Sequence, residues 1–139
     1  MLYILDTDHV SLLQRGNTPV CTHLEQISIE QRAVTIITVI EQLQGRLAVI
    51  HQARSEVEVA RGGERLQETL AFYASIHVLA YDPDAQVQFA HLRRQRVRIG
   101  TQDLRIAAIA LRWRATVVTR NSRDFGQVPG LNMVDWSIA

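Results

Sequence analysis

The sequence predicts an α/β fold: a three-layer α/β/α sandwich around a mostly parallel sheet, formed by a single domain over residues 1–139. Three observations carry that reading. Short β-branched or apolar runs alternate along the chain with stretches of helical periodicity. The chain has no internal repeat, low-complexity tract or evident linker. Apolar residues make up 47% and charged residues 21%, the balance of a chain that buries a core.

The elements follow in order. Leu2-Tyr3-Ile4-Leu5 reads as a buried strand ended by Asp6-Thr7-Asp8. Helical spacing through Val10, Leu12 and Leu13 stops at Gly16-Asn17, and Thr18-Pro19 opens a second helix to about Ser28. Ala33-Val34-Thr35-Ile36-Ile37 is β-branched, hence an interior strand, after which Thr38 opens a helix through Glu41, Leu43, Leu47 and Ile50. Residues 54–63, polar and containing Gly62-Gly63, read as a loop or frayed helix end. A helix over 64–74, a strand over 76–79 and a helix from Asp82-Pro83-Asp84 to about Gln95 come next. A helix over 103–114 behind Gly100-Thr101, a strand over 116–119 and a last short strand over 131–134 complete the chain.

Charge narrows the chemistry. All fifteen basic residues are arginine, which excludes mechanisms built on a Schiff-base, P-loop or phosphoryl-clamping lysine. The net charge of +1 conceals an asymmetry. Residues 1–90 hold 6 Arg against 11 acids, a net of −5, whereas residues 91–123 hold 9 Arg against Asp103 alone, a net of +8. Guanidinium groups bind phosphate oxygens in pairs, so the basic third quarter reads either as a phosphate-facing surface or as a solvated helix end. No apolar run is long enough for a membrane helix, no signal peptide opens the chain, and Cys21 has no partner for an internal disulfide; the expected setting is the cytoplasm, with no membrane contact.

In a parallel sheet, ligands bind beyond the carboxyl ends of the strands. Asp6 directly follows the first strand, Glu41 comes shortly after the second, and Arg120-Asn121-Ser122-Arg123-Asp124 follows the strand ending at Thr119. Each acid has a structural alternative. Thr7 or Asp8, rather than Asp6, is the expected cap of the first helix. Thr38-Val39-Ile40-Glu41 matches a capping box, and Asp103 fits a first-turn acid. Yet the helix behind Asp103 is apolar nearly all round, so its carboxylate needs a cationic partner, either a metal ion or an arginine. A few carboxylates offering oxygen alone suit Mg²⁺ or Mn²⁺, ions that serve phosphate chemistry. The five histidines lack zinc spacing, and His9 is the one near the proposed site.

Taken together, Leu5-Asp6-Thr7-Asp8, Glu41 with Leu43 and Gly45, Gly100-Thr101-Gln102-Asp103 with its apolar helix, Thr119 through Phe125, and the ending Val134-Asp135-Trp136 resemble the PIN-domain ribonucleases, specifically the VapC toxins of type II toxin–antitoxin pairs. The resemblance covers nearly the whole chain in order. It implies Asp6, Glu41 and Asp103 as metal-binding and catalytic acids, with Asn121 or Asp124 at a fourth catalytic position. A neutral Asn121 leaves open whether one or two ions bind. Thr119, Arg120, Arg123 and Arg98 are the implied substrate contacts. The implied activity is Mg²⁺- or Mn²⁺-dependent cleavage of RNA, transfer RNA or another structured RNA, by a homodimer that a cognate VapB-like antitoxin restrains. Phosphatases that open on strand-Asp-x-Asp need a lysine that this chain lacks. A metal-free histidine ribonuclease and a non-catalytic module binding RNA or a partner remain as alternatives.

Overall fold

The computed structural model describes residues 1–138 and forms one five-stranded sheet in which every neighbouring pair is parallel. The strands are β1 (Tyr3–Leu5), β2 (Arg32–Thr35), β3 (His77–Leu79), β4 (Thr116–Val118) and β5 (Asn132–Val134), in the order β3-β2-β1-β4-β5. The chain therefore steps one way from β1 to β2 and β3, then returns to the other side of β1 for β4 and β5. That reversal leaves a crevice beyond the carboxyl ends of β1 and β4, the position at which such sheets bind ligands.

Seven α-helices connect and cover the strands: α1 (Thr7–Gln14), α2 (Thr18–Glu25), α3 (Ile36–His51), α4 (Glu56–Ala74), α5 (Pro83–Arg94), α6 (Thr101–Trp113) and α7 (Ser122–Phe125). Successive strand residues face opposite sides, so each strand feeds two cores. Ile4, Ala33, Leu79 and Val117 pack with Leu92, Phe125 and the apolar face of α6. Leu5, Val34 and Val118 pack with Val10, Val20, Tyr73 and Trp136 on the other side. This burial on both faces is why the strands are apolar without alternation, and it makes the three layers expected from the sequence.

Three boundaries differ from the sequence reading, each for a local reason. The helix after β2 begins at Ile36, because Thr35, not Thr38, is its cap and accepts the Thr38 amide at 3.3 Å. The β-branched run thus ends inside a helix, where packing of Ile37 in the core overrides strand propensity. Residues 56–63 are not a loop but the first turns of α4. Ser55 caps it by accepting the Glu58 amide, and Glu58 accepts the Arg54 amide at 2.6 Å, so the Ser-x-x-Glu spacing was the signal that Gly62-Gly63 obscured. Gly62 is needed there: a Cβ would lie 2.7 Å from Cγ1 of Ile50, because α3 and α4 cross closely at this point. Finally, α2 stops at Glu25, and a 3₁₀ turn over Ile29–Gln31 leads into β2.

Candidate active site

Asp6 ends β1 and starts α1. Its backbone N–H still donates to the Val118 carbonyl of β4 at 3.1 Å, which fixes the residue at the rim of the crevice. Contrary to the sequence reading, Asp6 is itself the cap of α1, with Oδ1 accepting the His9 amide at 2.8 Å. The cap uses one oxygen and holds the carboxylate, buried to 6% exposure, in a single orientation at the crevice.

With the α3 cap moved to Thr35, Glu41 lies beyond the first turn and is released from the capping-box role. Its Oε1 instead accepts the Thr7 hydroxyl at 2.8 Å, and the Thr7 and Thr38 hydroxyl oxygens are 3.0 Å apart. Thr7, which the sequence offered only as a helix cap, thereby ties Glu41 to the segment beside Asp6. Asp103 stands in the first turn of α6 behind Gly100. Among the described residues its carboxylate takes part in no hydrogen bond or ion pair. Its pKa is pushed up to about 6, first by burial and then by the negative charges of Asp6, Glu41 and Asp124.

A cavity of about 520 Å³ is lined by Asp6, Thr7, Asp8, Glu41, Asp103, Arg120 and Asn121. Among the described residues Arg120 forms no ion pair with Asp6, Glu41 or Asp103. It pairs with Asp8, Nε to Oδ2 at 2.6 Å and Nη2 to Oδ1 at 3.0 Å, a bond across 112 residues that no local pattern in the sequence announces. Asn121 and Asp124 act as a unit: Asn121 Oδ1 accepts the Asp124 amide at 3.3 Å, and Asn121 Nδ2 donates to Asp124 Oδ2 at 3.0 Å. Only Asn121 lines the acidic cavity. Asp124 lines an adjoining hollow with Arg93, Arg96 and Arg98, yet it is close enough to raise the Asp103 pKa.

Thr119 is buried, and its Oγ1 accepts the Asn121 amide at 2.9 Å, so it shapes the turn rather than presenting a hydroxyl to the cavity. Arg98 belongs to the adjoining hollow, and Arg123 is exposed on α7. His9 is fully buried, with Nδ1 3.3 Å from Asp6 Oδ1 and Nε2 accepting the Trp136 amide at 3.3 Å. It is therefore a core residue between Asp6 and the C-terminal segment, and its Nδ1 forms no hydrogen bond among the described residues.

The donor chemistry fits a hard divalent cation: oxygen atoms alone, three crowded carboxylates and no lysine or arginine satisfying them. Among the described residues no three of His, Cys, Asp or Glu stand as a ready-made ligand group.

Comparison with known proteins follows the same lines. No protein-family model matches the chain. A tRNA(fMet)-specific endonuclease VapC of Salmonella typhimurium strain LT2 is 35% identical over 69 residues, 47% of this chain and 52% of that protein, so the match spans about half the relative's length. Among solved structures, DNA-bound VapBC from Salmonella typhimurium superposes with a TM-score of 0.73 at 25% identity, covering 98% of this chain and 99% of that one. VapBC-1 from Haemophilus influenzae gives 0.76 at 21% identity over 99% and 100% of the two chains. VapBC2 from Rickettsia felis, bound to a promoter DNA fragment, gives 0.74 at 22% over 98% and 99%. These likenesses show the fold: the chain shares the α/β/α architecture of the toxin–antitoxin structures named here, and about half of it resembles a VapC endonuclease.

Proposed function

We propose that this protein is the toxin of a type II toxin–antitoxin pair and a Mg²⁺- or Mn²⁺-dependent endoribonuclease. The observation that carries the reading is the meeting of Asp6, Glu41 and Asp103 on one cavity, where burial first and the neighbouring negative charges second lift the Asp103 pKa to about 6. Mutual repulsion of that kind is costly unless a cation is bound during function. Asp6 and Asp103 would hold the ion, and Glu41, steered by Thr7, would complete or orient the set. A divalent ion there supplies charge neutralisation at a phosphate and a nucleophilic water. The protein's own contribution is placement: the His9 amide fixes Asp6, Thr7 fixes Glu41, and the Asn121–Asp124 unit borders Asp103.

Transfer RNA is the proposed substrate class, supported by the name of the partial relative. A VapB-like antitoxin is the proposed partner, supported by the paired toxin–antitoxin complexes that share the fold, and a homodimer is the proposed assembly. No helix among the described residues is long and apolar enough to cross a membrane. The test is cleavage of a tRNA pool by purified protein with Mn²⁺, compared with EDTA and with Asp103→Asn. Cleavage that needs the ion and falls at least 100-fold in the variant is expected. Equal cleavage in EDTA, or no cleavage by the wild type, overturns the reading, the latter in favour of a non-catalytic binding module.

A further inference from the structure

The arginines of the basic third quarter are not the only ones that gather. A second cavity, of about 400 Å³, lies between α1, α3 and α4, and Ser11, Gln14, Arg15, Arg46, Arg65 and Thr69 line it. It draws on the part of the chain whose net charge is −5, yet three guanidinium groups face it. Glu68 is the single acid on its rim, and among the described residues neither it nor these arginines form an ion pair.

The cluster is built rather than incidental. Thr69, buried, receives Arg46 Nε at 3.0 Å on its hydroxyl, which in turn donates to the Arg65 carbonyl at 2.9 Å. Thr69 thus ties the Arg46 side chain to α4 one turn from Arg65. Beneath them Gln14 and Gln42 exchange amide hydrogen bonds at 2.8 and 3.1 Å, Tyr73 donates to Gln42 Oε1 at 2.6 Å, and Arg46 Nη2 reaches Gln14 Oε1 at 3.4 Å. Burial and the neighbouring Arg65 charge lower the Arg46 pKa, the mark of like charges held together without a counter-ion.

The same two helices carry the acidic cavity. Thr7 and Gln14 stand seven positions apart on α1, a rise of roughly 10 Å, and Glu41 and Arg46 lie about 7 Å apart along α3 by the same rise. A duplex strand rises about 3.4 Å per nucleotide, so that distance is about two or three nucleotides of stacked strand. A strand with one phosphate at the acids would reach these arginines with a phosphate about two or three nucleotides away. We infer that the cleft between Arg46 and Arg65, with Arg15 at its edge, binds a second backbone phosphate of the RNA whose scissile phosphate lies at Asp6 and Asp103. This assignment rests on the nuclease reading for its ligand, and it gives an acidic site the counter-charge that admits a polyanion. Phosphate contacts of this kind set register and carry no sequence information.

The test measures binding of a fluorescent ten-nucleotide single-stranded RNA in EDTA across a salt series, for wild type, Arg65→Gln, Arg46→Lys and, as a charge control, Arg54→Gln. Arg65 is exposed, so its substitution leaves the fold intact. The expected result is three- to ten-fold weaker binding by Arg65→Gln, with the slope of log affinity against log salt reduced by about 0.7. Arg46→Lys, which keeps the charge and loses the paired geometry, falls between wild type and Arg65→Gln, and Arg54→Gln changes affinity less than two-fold. Equal affinity and slope for Arg65→Gln and the control overturns the assignment. So does displacement of the cleft's arginine signals by a hexaglutamate peptide but not by the RNA, which would give the surface to a protein partner. A wild type that binds in this way yet never cuts with Mn²⁺ sinks the nuclease reading and leaves the phosphate site standing. One that cuts while Arg65→Gln matches the control does the reverse.

Discussion

At the scale of single residues, Asp103 combines a functional position with an energetic cost. An ordinary aspartate titrates near 3.9, and this one is raised to about 6 by burial and by Asp6, Glu41 and Asp124. The folded state then binds the proton more tightly than the unfolded chain does. Between about pH 4 and 6 the native state carries the extra proton, so stability from this group falls as pH rises through that window and is lowest above 6. Asp103→Asn removes the penalty. In EDTA at pH 7 it is expected to stabilise the fold by on the order of 1–2 kcal/mol, discounted because the side chain is partly solvated. Urea denaturation checks this, and a variant less stable than wild type would refute it. The same residue predicts that Mn²⁺ affinity climbs with pH through about 6, since only ionised carboxylates bind the ion well; calorimetric titrations at pH 5 and 7 read it directly, and equal affinities would contradict it. Thr7→Val is predicted to cut turnover by about ten-fold while leaving the melting temperature within a few degrees, because it frees Glu41 without opening the core.

At the scale of elements, the close crossing of α3 and α4 separates two adjacent glycines. Gly63 has open space where a Cβ would stand, so Gly63→Ala is expected to stabilise by about 0.5–1 kcal/mol through helix propensity and chain entropy. Gly62→Ala would place a methyl 2.7 Å from Ile50 Cγ1, and the displaced contact is expected to cancel that gain and cost about 1 kcal/mol or more. Thermal melts of the pair decide it, and equal shifts would show that the helices part freely. The start of α3 illustrates why the sequence misled at this level. Thr35 and Thr38 are both acceptable caps, and the choice between them depends on Ile37 being claimed by the core, which no local pattern records. By contrast, α4's capping spacing at Ser55 and Glu58 was present in the sequence, and two glycines outweighed it.

At the scale of the whole molecule, the strand order creates the site. Had β4 paired beyond β3, Asp6 would lie far from Asn121; placing β4 beside β1 lets the Asp6 amide bond Val118 and brings the turn after β4 to the same crevice. The C-terminal segment closes the arrangement through His9, which sits between Asp6 and the Trp136 amide. His9→Ala is predicted to destabilise the protein by about 2–4 kcal/mol, from the cavity and the orphaned Trp136 amide together, and to loosen Asp6. Protein that melts within a degree of wild type would show the contact to be idle.

What the sequence determined by itself was the layered α/β class with its apolar interior strands, and it offered the acids as candidates, because hydrophobic period and residue chemistry are local properties. Reading Asp6 as not the cap of the first helix was a local judgement as well, as was the capping-box alternative for Glu41, and both failed because each side chain chooses among partners that only the fold supplies. The tertiary structure alone decided that Thr7 serves Glu41, that Arg120 spends its charge on Asp8, and that Arg46 reaches Thr69 on the neighbouring helix. These pairings join residues far apart in the sequence, or rest on a helix crossing. Their energies depend on distance in space, a quantity the order of residues along the chain does not contain.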